Sequence, residues 1–456
     1  MLEAIIIGAG FAGLSAAHAL RAKGIKDFVV LEARDRVGGR TKPGAIAGLP
    51  VDFGGMWLGP TQSRLKAMSE RYQVRTYATP LDGKAIYRLR GQEFHGEREN
   101  INGLFGVGDA LADLLSRRQI KKLMEPLDCA APWNHPEADD LDTLTVEHWM
   151  SRHMRSERLR AMYRLICFSL FCAEASQISM LFFLHYLKAG DGLDVLISSD
   201  EGGAQNLLFH GGVHQIARKM GEELGTQLKL SAPATAIRWR EDGVTVETPA
   251  GAFTARRAIL SIPPTLLSRI AFEPALPQPK TALHARLAMG SAIKFWVAYD
   301  TPFWRETGFN GTVVRDDCPA SPAFDVSPPG QPLGVIAGFF DGDHALRHGD
   351  VSQTARREIV LSMLAEHFGE AARAPLDYAD TDWTAETWSA GCYGAFAPPG
   401  VYAHYGEWLA KPIGPLHWAG TETASRWTGY IDGAISSGER AAAEVAEALA
   451  GAEAVA

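Results

Sequence analysis

The chain opens with two short apolar segments separated by a run of helix-forming residues. Residues 4–7, Ala-Ile-Ile-Ile, are apolar and mostly β-branched, as expected for a strand covered on both faces. Residues 11–23 favour a helix that ends before Gly24, a residue suited to the end of a helix. Residues 27–32 are again apolar and predict a second strand. This order predicts a strand–helix–strand unit at the start of the chain.

The middle of the chain changes from a helical to a stranded pattern. Residues 105–190 are rich in Leu, Met, Arg and aromatic residues at helical spacing, so we expect mostly helices there. Residues 228–262 alternate between apolar and polar positions, and the turn signals Asp242-Gly243 and Ala250-Gly251 predict hairpins. The tandem Pro263-Pro264 then ends the pattern, because it can continue neither a helix nor a strand.

The later segments return to strands and close with a helix. Residues 293–299 and 334–340 predict strands, and residues 416–448 predict a strand, a Gly-rich turn and a long helix. The interleaving predicts an α/β fold, a mixed α+β arrangement in which two domains alternate along the chain.

Composition and charge narrow the class of protein. The chain has 456 residues, 46% of them hydrophobic and 21% charged, which is ordinary for a globular protein with a large core. The net charge of -8, without any Lys/Arg-rich run, argues against nucleic acid as a partner. Five cysteines, an odd number, indicate no disulfide framework, and no Cys or His spacing predicts a metal site. The absence of a leader pattern and of an apolar run of ~20 residues predicts a cytoplasmic protein without a membrane anchor.

The first strand is followed by a Gly-x-Gly-x-x-Gly motif. Gly8, Gly10 and Gly13 permit a tight turn and a close approach of the backbone, and Ala12 lies at the start of the helix. The helix N-terminus offers unpaired N–H groups to a pyrophosphate, and Glu32, at the end of the second strand, can accept a hydrogen bond from a ribose hydroxyl. The motif alone does not distinguish FAD from NAD.

The segment after Glu32 favours FAD. Residues 32–41, Glu-Ala-Arg-Asp-Arg-Val-Gly-Gly-Arg-Thr, resemble the family of FAD enzymes that includes amine oxidases, phytoene desaturases and Rab GDP-dissociation inhibitors. The resemblance implies that Ala33 and Arg34 flank the adenosine and that Gly39 and Arg40 approach the pyrophosphate. On this basis the FAD-binding domain comprises residues 1–78, 205–285 and 390–456, and the substrate-binding domain comprises residues 79–204 and 286–389.

Five further motifs narrow the resemblance. In this order and spacing they are similar to the flavin monoamine oxidases, from residue 3 to about residue 446. The motifs are FGGMWLGPTQ (53–62), SIPPT (261–265), MGSAIKFWVAYDTPFW (289–304), SAGCYGAFAPPG (389–400) and AGTETASRWTGYIDGAISSGERA (419–441).

The resemblance assigns roles to single residues. It implies that Cys392 is bonded through its sulfur to a methyl group of the flavin, an unlinked buried cysteine being the alternative. Tyr393 and Tyr430 correspond to two aromatic residues that form a cage before the flavin, and Lys294 corresponds to a lysine that holds a water at flavin N5. Trp383 and Ala234 correspond to residues near the flavin ring and the adenine. Glu422 opens the final strand-to-helix turn, where backbone N–H groups can meet FAD. A structural role is the alternative for each of the three.

The same resemblance implies a largely apolar substrate cavity, which suits an amine with an apolar or aromatic group. Phe324 stands at a position where a diamine oxidase would need an acidic residue, although Asp200 and Glu201 could supply charge from a neighbouring loop. The residues implied to line the cavity are Trp57, Ile197, Gln205, Val314, Phe324 and Phe339.

The resulting expectation is an FAD-dependent amine oxidase that uses molecular oxygen and releases hydrogen peroxide. A polyamine, diamine or L-amino acid oxidase, or an amine dehydrogenase with another electron acceptor, is an alternative within enzymes. A binding module on the fold of the GDP-dissociation inhibitors is an alternative outside them. The sequence is compatible with a homodimer and does not identify the amine.

Overall fold

The computed structural model describes residues 1–453 and has the mixed α/β architecture that the sequence predicts. The strands are β1 (Leu2–Ile7), β2 (Phe28–Leu31), β3 (Pro43–Ile46), β4 (Leu49–Asp52), β5 (Trp57–Leu58), β6 (Thr76–Ala78), β7 (Lys84–Leu89), β8 (Gln92–Glu97), β9 (Leu207–Phe209), β10 (Leu228–Lys229), β11 (Ala236–Arg240), β12 (Gly243–Thr248), β13 (Gly251–Leu260), β14 (Ala271–Glu273), β15 (Ala288–Met289), β16 (Ala292–Tyr299), β17 (Phe309–Arg315), β18 (Ala323–Asp325), β19 (Gly334–Asp341), β20 (Asp377–Asp382), β21 (Ala395–Phe396) and β22 (Leu416–Trp418).

Helices connect and cover these strands. They are α1 (Phe11–Ala22), α2 (Ser63–Arg71), α3 (Val107–Met124), α4 (Ala138–Thr143), α5 (Val146–His153), α6 (Glu157–Phe171), α7 (Met180–Ala189), α8 (Leu193–Leu196), α9 (His214–Leu224), α10 (Gln278–Arg286), α11 (Asp343–Gly349), α12 (Gln353–Phe368), α13 (Tyr402–Tyr405) and α14 (Ile431–Glu453).

The first large sheet is built around β1, which runs parallel to β2 on one side and to β13 on the other. The strand order is β10-β2-β1-β13-β12-β11-β14, with β22 also pairing with β13. Because side chains alternate along a strand, Ala4 and Ile6 pack with α1 and α14, whereas Ile5 and Ile7 pack against residues of β11 and β12. Burial on both faces explains the continuous apolar run predicted to be a strand.

The second large sheet has the order β20-β16-β19-β18-β17-β7-β8. All eight residues of β16 are buried, again because both faces are covered. Phe295 and Val297 face the helix α12, whereas Trp296 and Ala298 face the β3–β4 hairpin. Lys294 lies on the same face as Trp296, so it points away from α12.

The remaining helices form a third layer, which we call the helical layer. It is a shared apolar core of α3 to α7 with α10 and α13, and it confirms the mostly helical character predicted for residues 105–190. The predicted hairpins at residues 242–243 and 250–251 and the strands at 293–299 and 334–340 are also confirmed. The strands of the first sheet lie in the ranges predicted for cofactor binding and those of the second sheet in the ranges predicted for substrate binding, a functional division that stays a prediction.

Candidate active site

A continuous cavity of about 1250 Å³ runs between the two large sheets and the helical layer. One part is lined by the loop between β1 and α1 and by the end of β2, and another part by aromatic residues of the second sheet. The cavity therefore joins residues from both parts of the chain. Of the predicted cofactor and substrate residues, those that line it are Gly8, Gly10, Ala12, Glu32, Ala33, Arg34, Gly39, Arg40, Ala234, Cys392, Trp57, Ile197, Gln205, Val314, Phe324, Phe339, Tyr393 and Tyr430.

Glycines form the wall at the β1 end of the cavity. Gly8 has a φ of +100°, and a Cβ added there would lie 2.8 Å from the Ser261 hydroxyl oxygen. A Cβ added to Gly39 would lie 3.3 Å from the Cα of Gly10, so the two loops approach backbone to backbone. Gly13 does not line the cavity. Its Cβ would lie 1.9 Å from the Gly8 carbonyl oxygen, so this glycine lets α1 pack against the loop.

Glu32 ties the glycine loop to the end of β2. Its carboxylate accepts hydrogen bonds from the N–H groups of Ala9 (2.7 Å) and Arg34 (2.9 Å). The Arg34 guanidinium donates to the Ser389 hydroxyl (2.8 Å) and pairs with Glu386 (3.5 Å). A buried carboxylate beside a helix N-terminus and a guanidinium is suited to hold the ribose and phosphates of a dinucleotide.

Arg40 is oriented by a buried carboxylate. Its guanidinium donates to Glu422 at 2.7 and 3.2 Å and to the Tyr393 carbonyl at 2.8 Å. Burial opposes the charge of Glu422, but the charge of Arg40 and its hydrogen bonds hold the pKa of that carboxyl below its ordinary value. Glu422 does not line the cavity, so its side chain positions Arg40 at the cavity wall.

Tyr393 and Tyr430 both line the cavity but are supported by different neighbours. The Tyr393 ring packs edge-to-face on Phe339, with ring centres 5.8 Å apart. The Tyr430 ring contacts Trp427 at 5.0 Å and Tyr186 at 6.1 Å. The two rings are thus held independently, by the second sheet and by the helical layer.

Cys392 precedes Tyr393 through a cis peptide bond and lines the cavity. It is 5% exposed, and burial raises the pKa of its thiol to about 12, an effect that the nearby charges of Arg40 and Lys294 oppose. Trp383 packs in the same small cluster and donates its indole N–H to the Phe53 carbonyl at 2.9 Å. Trp383 does not line the cavity, so it supports the wall from behind.

Lys294 lies directly behind the cavity wall. Its ammonium donates to the carbonyl oxygens of Asp52 and Gly54, both at 2.8 Å, and lies 3.0 Å from the Met56 sulfur. The side chain is 2% exposed, and burial lowers the pKa of Lys294 to about 7, although Asp52 and Cys392 oppose the shift. A lysine with this pKa can hold or release a proton near neutral pH.

Aromatic side chains line the part of the cavity near Tyr393. Trp57 contacts Phe324 with ring centres 5.7 Å apart and Phe339 at 6.2 Å. Gln205 is the polar member of the predicted substrate set, and its amide donates to the Leu196 carbonyl at 3.0 Å. Ile197, 37% exposed, lies where the cavity approaches the surface.

Charged residues line the cavity where it approaches solvent. The Arg98 guanidinium binds the Asp200 carboxylate at 2.8 and 3.3 Å. Glu99 accepts hydrogen bonds from the Ser198 hydroxyl at 2.8 Å and the Ser199 N–H at 2.9 Å. The turn after β8 is thereby tied to the loop between α8 and β9.

The structure adds a residue that the sequence interpretation missed. Asp341 ends β19 and is 1% exposed, and the hydrogen-bonding group beside its carboxyl is the Cys172 thiol rather than a nitrogen or oxygen donor. Burial raises its pKa to about 8. The Cys172 thiol lies close to both Asp341 and the Tyr393 hydroxyl. An acidic residue in an otherwise apolar strand was the available signal, because such a residue is costly to bury without a role.

Comparison with known proteins identifies this site. The family model for flavin-containing amine oxidoreductases matches residues 11–446. The chain belongs to the flavin-containing amine oxidoreductase family. It is similar to the flavin-containing amine oxidase A of Canis lupus familiaris, with 33% identity covering 98% of this chain and 86% of that protein. It is also similar to the L-amino acid dehydrogenase of Synechocystis sp., with 35% identity covering 96% of this chain and 94% of that protein.

The solved structures agree. Cyclohexylamine oxidase from Brevibacterium oxydans superposes with a TM-score of 0.92 at 31% identity, covering 98% of this chain and 99% of that chain. The chain is therefore a flavin-dependent amine oxidoreductase that acts on CH–NH2 donors. Within residues 1–453, no helix is both long and apolar enough to cross a bilayer.

The cavity fits the FAD that this family uses. The facing glycines leave a slot that a Cβ at Gly8 or Gly39 would narrow. The positive N-terminus of α1 and the Arg40 guanidinium suit a pyrophosphate, and the Glu32 carboxylate suits ribose hydroxyls. These groups line one cavity with Cys392 and the two tyrosines.

Proposed function

We propose that this protein is an amine oxidase that oxidises a primary or secondary amine carrying an apolar or aromatic group to an imine, with dioxygen reduced to hydrogen peroxide. The observation that carries the proposal is the aromatic chamber of Trp57, Phe324 and Phe339, which continues into the space lined by Tyr393 and Tyr430. Lys294 lies behind the wall of the same space. The imine then hydrolyses in water to an aldehyde or ketone.

The protein residues orient the amine and keep water away from the reacting carbon. When bound, FAD supplies the acceptor for two electrons from the α C–H bond. Tyr393 and Tyr430 present their ring faces to the amino group, and their separate supports fix the spacing between them. Lys294 serves the oxygen half of the cycle, because its pKa of about 7 lets it hold or release a proton next to the flavin site.

The apolar residues that line the aromatic chamber favour a monoamine over a diamine as the substrate. Phe324, packed on Trp57, stands where a diamine would need a distal carboxylate. The carboxylates of Asp200 and Glu99 lie in the charged outer part of the cavity. Arg98 already binds Asp200, and the Ser198 hydroxyl and the Ser199 N–H already donate to Glu99. A second ammonium in the aromatic chamber would therefore be desolvated without a partner.

The proposal includes a covalent bond between the Cys392 sulfur and a methyl carbon of FAD. This bond would replace the thiol S–H bond and one methyl C–H bond, with two protons released and the two electrons passing through the flavin to dioxygen. Its support is the position of Cys392 on the cavity wall, next to Tyr393 and near the positive charges of Arg40 and Lys294. Burial raises the pKa of the Cys392 thiol to about 12, and these positive charges oppose that shift toward the thiol form.

The second candidate is an amine or amino acid dehydrogenase that passes electrons to a carrier other than oxygen. The 35% identity to an L-amino acid dehydrogenase supports it. An amino acid substrate would need a cation for its carboxylate, and Arg98 and Arg117 line the outer part of the cavity. Arg98 is paired with Asp200 and Arg117 with Asp113, so neither is free to bind that carboxylate without breaking an ion pair.

A visible spectrum decides between the two. The purified flavoprotein is mixed anaerobically with single amines and amino acids, and air is then admitted. We expect an apolar monoamine to bleach the flavin band and air to restore it with release of peroxide. Bleaching without recovery in air would favour the dehydrogenase, and bleaching by amino acids alone would refute the substrate class.

A further inference from the structure

A second, smaller cavity of about 170 Å³ lies on the other side of the Met56 side chain. We call it the rear chamber. Its lining is mixed: apolar side chains such as Leu208, Val326 and Pro328 lie beside polar ones such as Tyr77 and His210. Met56 lines both this chamber and the main cavity, so its side chain separates them.

The Lys294 ammonium lies between the two cavities. Of its acceptors, the Asp52 residue lines the rear chamber, the Gly54 residue lines the main cavity, and Met56 lines both. The ammonium also lies 4.8 Å from the centre of the Trp296 ring, which lines the rear chamber, and 5.7 Å from that of Phe339, which lines the main cavity. A small molecule that moved past Met56 would meet this lysine.

Met56 is the movable part of the partition. A thioether is a weak hydrogen-bond acceptor compared with the two carbonyl oxygens, so it is the easiest of the three contacts to exchange. Methionine is also unbranched, with several rotatable bonds. The neutral form of Lys294 keeps two N–H groups, enough for the carbonyls of Asp52 and Gly54, and no longer needs the sulfur.

The rear chamber has its own approach from solvent. Gln331, an exposed residue between β18 and β19, lies in its lining, whereas the main cavity approaches solvent beside Arg98 and Asp200. The Trp296 indole N–H, buried on the chamber wall, has no hydrogen-bond partner in the protein. The volume suits a diatomic or water-sized molecule, and the apolar side chains of Val326 and Pro328 offer an uncharged one a surface to contact.

We propose that the rear chamber is a dioxygen route, in which Met56 is the gate between an opening at Gln331 and the Lys294 side of the active site. This inference rests on the proposed use of dioxygen as electron acceptor. It separates the path of oxygen from the path of the amine, so that a bound amine or imine need not leave before oxygen enters.

The test narrows the chamber without touching Lys294 or Met56. Val326→Met fills it from within, and Gln331→Trp covers its exposed edge. Gln353→Trp is the matched control, because Gln353 is also exposed but lies at the start of α12. The holoenzyme is reduced chemically without oxygen and mixed with oxygenated buffer, and the second-order reoxidation rate is compared with the anaerobic rate of reduction by amine. Crystals of the wild type and of Val326→Met are also pressurised with xenon, which binds apolar cavities.

We expect both chamber variants to slow reoxidation by roughly fivefold, a change of about 1 kcal/mol in activation free energy. Their reduction by amine should keep the wild-type rate, and Gln353→Trp should match the wild type in both steps. Xenon should occupy the rear chamber of the wild type and be absent from Val326→Met. Unchanged reoxidation in both variants, or no xenon in the wild-type chamber, would overturn the route. A wild-type flavin that is bleached by amine but does not react with air would instead overturn the proposed oxidase function.

Discussion

The wall of the main cavity and the helical layer contain the same types of buried reactive side chain, but we expect only those at the cavity wall to take part in the reaction. Lys294 in the wall and Lys280 in α10 are both nearly inaccessible, at 2% and 0% exposure. Lys280 donates to the carbonyls of Trp408 and Leu409, lies 3.6 Å from the centre of the Trp418 ring, and has its pKa lowered by burial. The difference lies in the acceptors. Those of Lys294 include Gly54 and Met56, which line the cavity, whereas Trp408 and Leu409 do not.

Tyrosines and cysteines repeat this contrast. Tyr430 faces the cavity, whereas Tyr402 in α13 is buried against His185, which it contacts at 2.8 Å. Cys392 lines the cavity, whereas Cys167 in α6 is buried in the apolar core, and burial raises the pKa of both thiols. A buried group with a shifted pKa is therefore not by itself a functional group. The residues of the candidate site differ from the others in that they line the main cavity or, like Lys294, donate to residues that line it.

The cysteine pair gives the largest expected effect. Cys392→Ala should abolish covalent attachment and leave FAD binding, because the glycine loop, Glu32 and Arg40 remain. After acid precipitation, the yellow colour should stay with the wild-type pellet and move to the supernatant in the variant. Cys167→Ala, the control, should keep its colour in the pellet. Wild-type protein that releases its flavin into the supernatant would refute the covalent bond.

The lysine pair should separate the oxygen reaction from folding. Lys294→Met removes a cation next to the flavin site, and we expect reoxidation by dioxygen to slow by about a hundredfold, the scale seen when one preorganised polar group is lost. Lys280→Met should change the melting temperature and leave reoxidation at the wild-type rate. Stopped-flow reoxidation and thermal unfolding measure the two effects. Equal reoxidation rates in the two variants would show that Lys294 is only structural.

The tyrosine pair should separate turnover from packing. Tyr430→Ala removes one face of the predicted cage, so the rate of flavin reduction by amine should fall by about tenfold, or about 1.4 kcal/mol. Its flavin content should stay close to that of the wild type. Tyr402→Phe loses the contact with His185, which should lower the free energy of unfolding by about 1 kcal/mol without changing that rate. Parallel losses of flavin and rate in Tyr430→Ala would indicate a folding role for Tyr430.

The helical layer and the cavity wall should contribute to the pH dependence of the free energy of unfolding over different pH ranges. Burial lowers the pKa of His185 to about 4, so between about 6.5 and 4 the unfolded chain binds a proton that the folded chain does not. The free energy of unfolding should therefore decrease as the pH is lowered from about 6.5 to about 4. This histidine contributes at most about 1.4 kcal/mol per pH unit to the decrease. Urea unfolding of His185→Gln should show a smaller fall.

For Lys294 the same relation applies at higher pH. Its folded pKa of about 7 lies below the value of about 10.4 in an unfolded chain, so between these values the unfolded state binds more protons. Its contribution to the free energy of unfolding therefore rises with pH through that window. Lys294→Met should flatten this rise. An unchanged slope in the variant would mean that Lys294 is fully charged in the folded protein.

Local patterns were sufficient for the cofactor end of the site. The strand β1, the glycine loop and α1 occupy consecutive residues, so the motif is visible in the sequence even though Gly8 also faces the distant Ser261. Glu32 could be assigned because it follows the apolar run of β2 at the interval from the glycine motif that a dinucleotide site requires. The aromatic set Trp57, Phe324 and Phe339 came from a family resemblance, since nothing local indicates that three distant segments meet.

The contacts that position the reactive groups could not be predicted from local pattern. The Arg40 guanidinium donates to Glu422, 382 positions away in the sequence, and the Lys294 ammonium donates to the Asp52 carbonyl, 242 positions away. Such contacts depend on how two sheets and a layer of helices pack, and many pairs of segments would satisfy the same hydrophobic pattern. The sequence by itself determined the order of strands and helices, the phosphate-binding turn and the class of enzyme. Only the tertiary structure decided which buried tyrosine and cysteine line the cavity and which buried lysine lies directly behind its wall, because burial is a local preference whereas a shared cavity is a property of the packed chain.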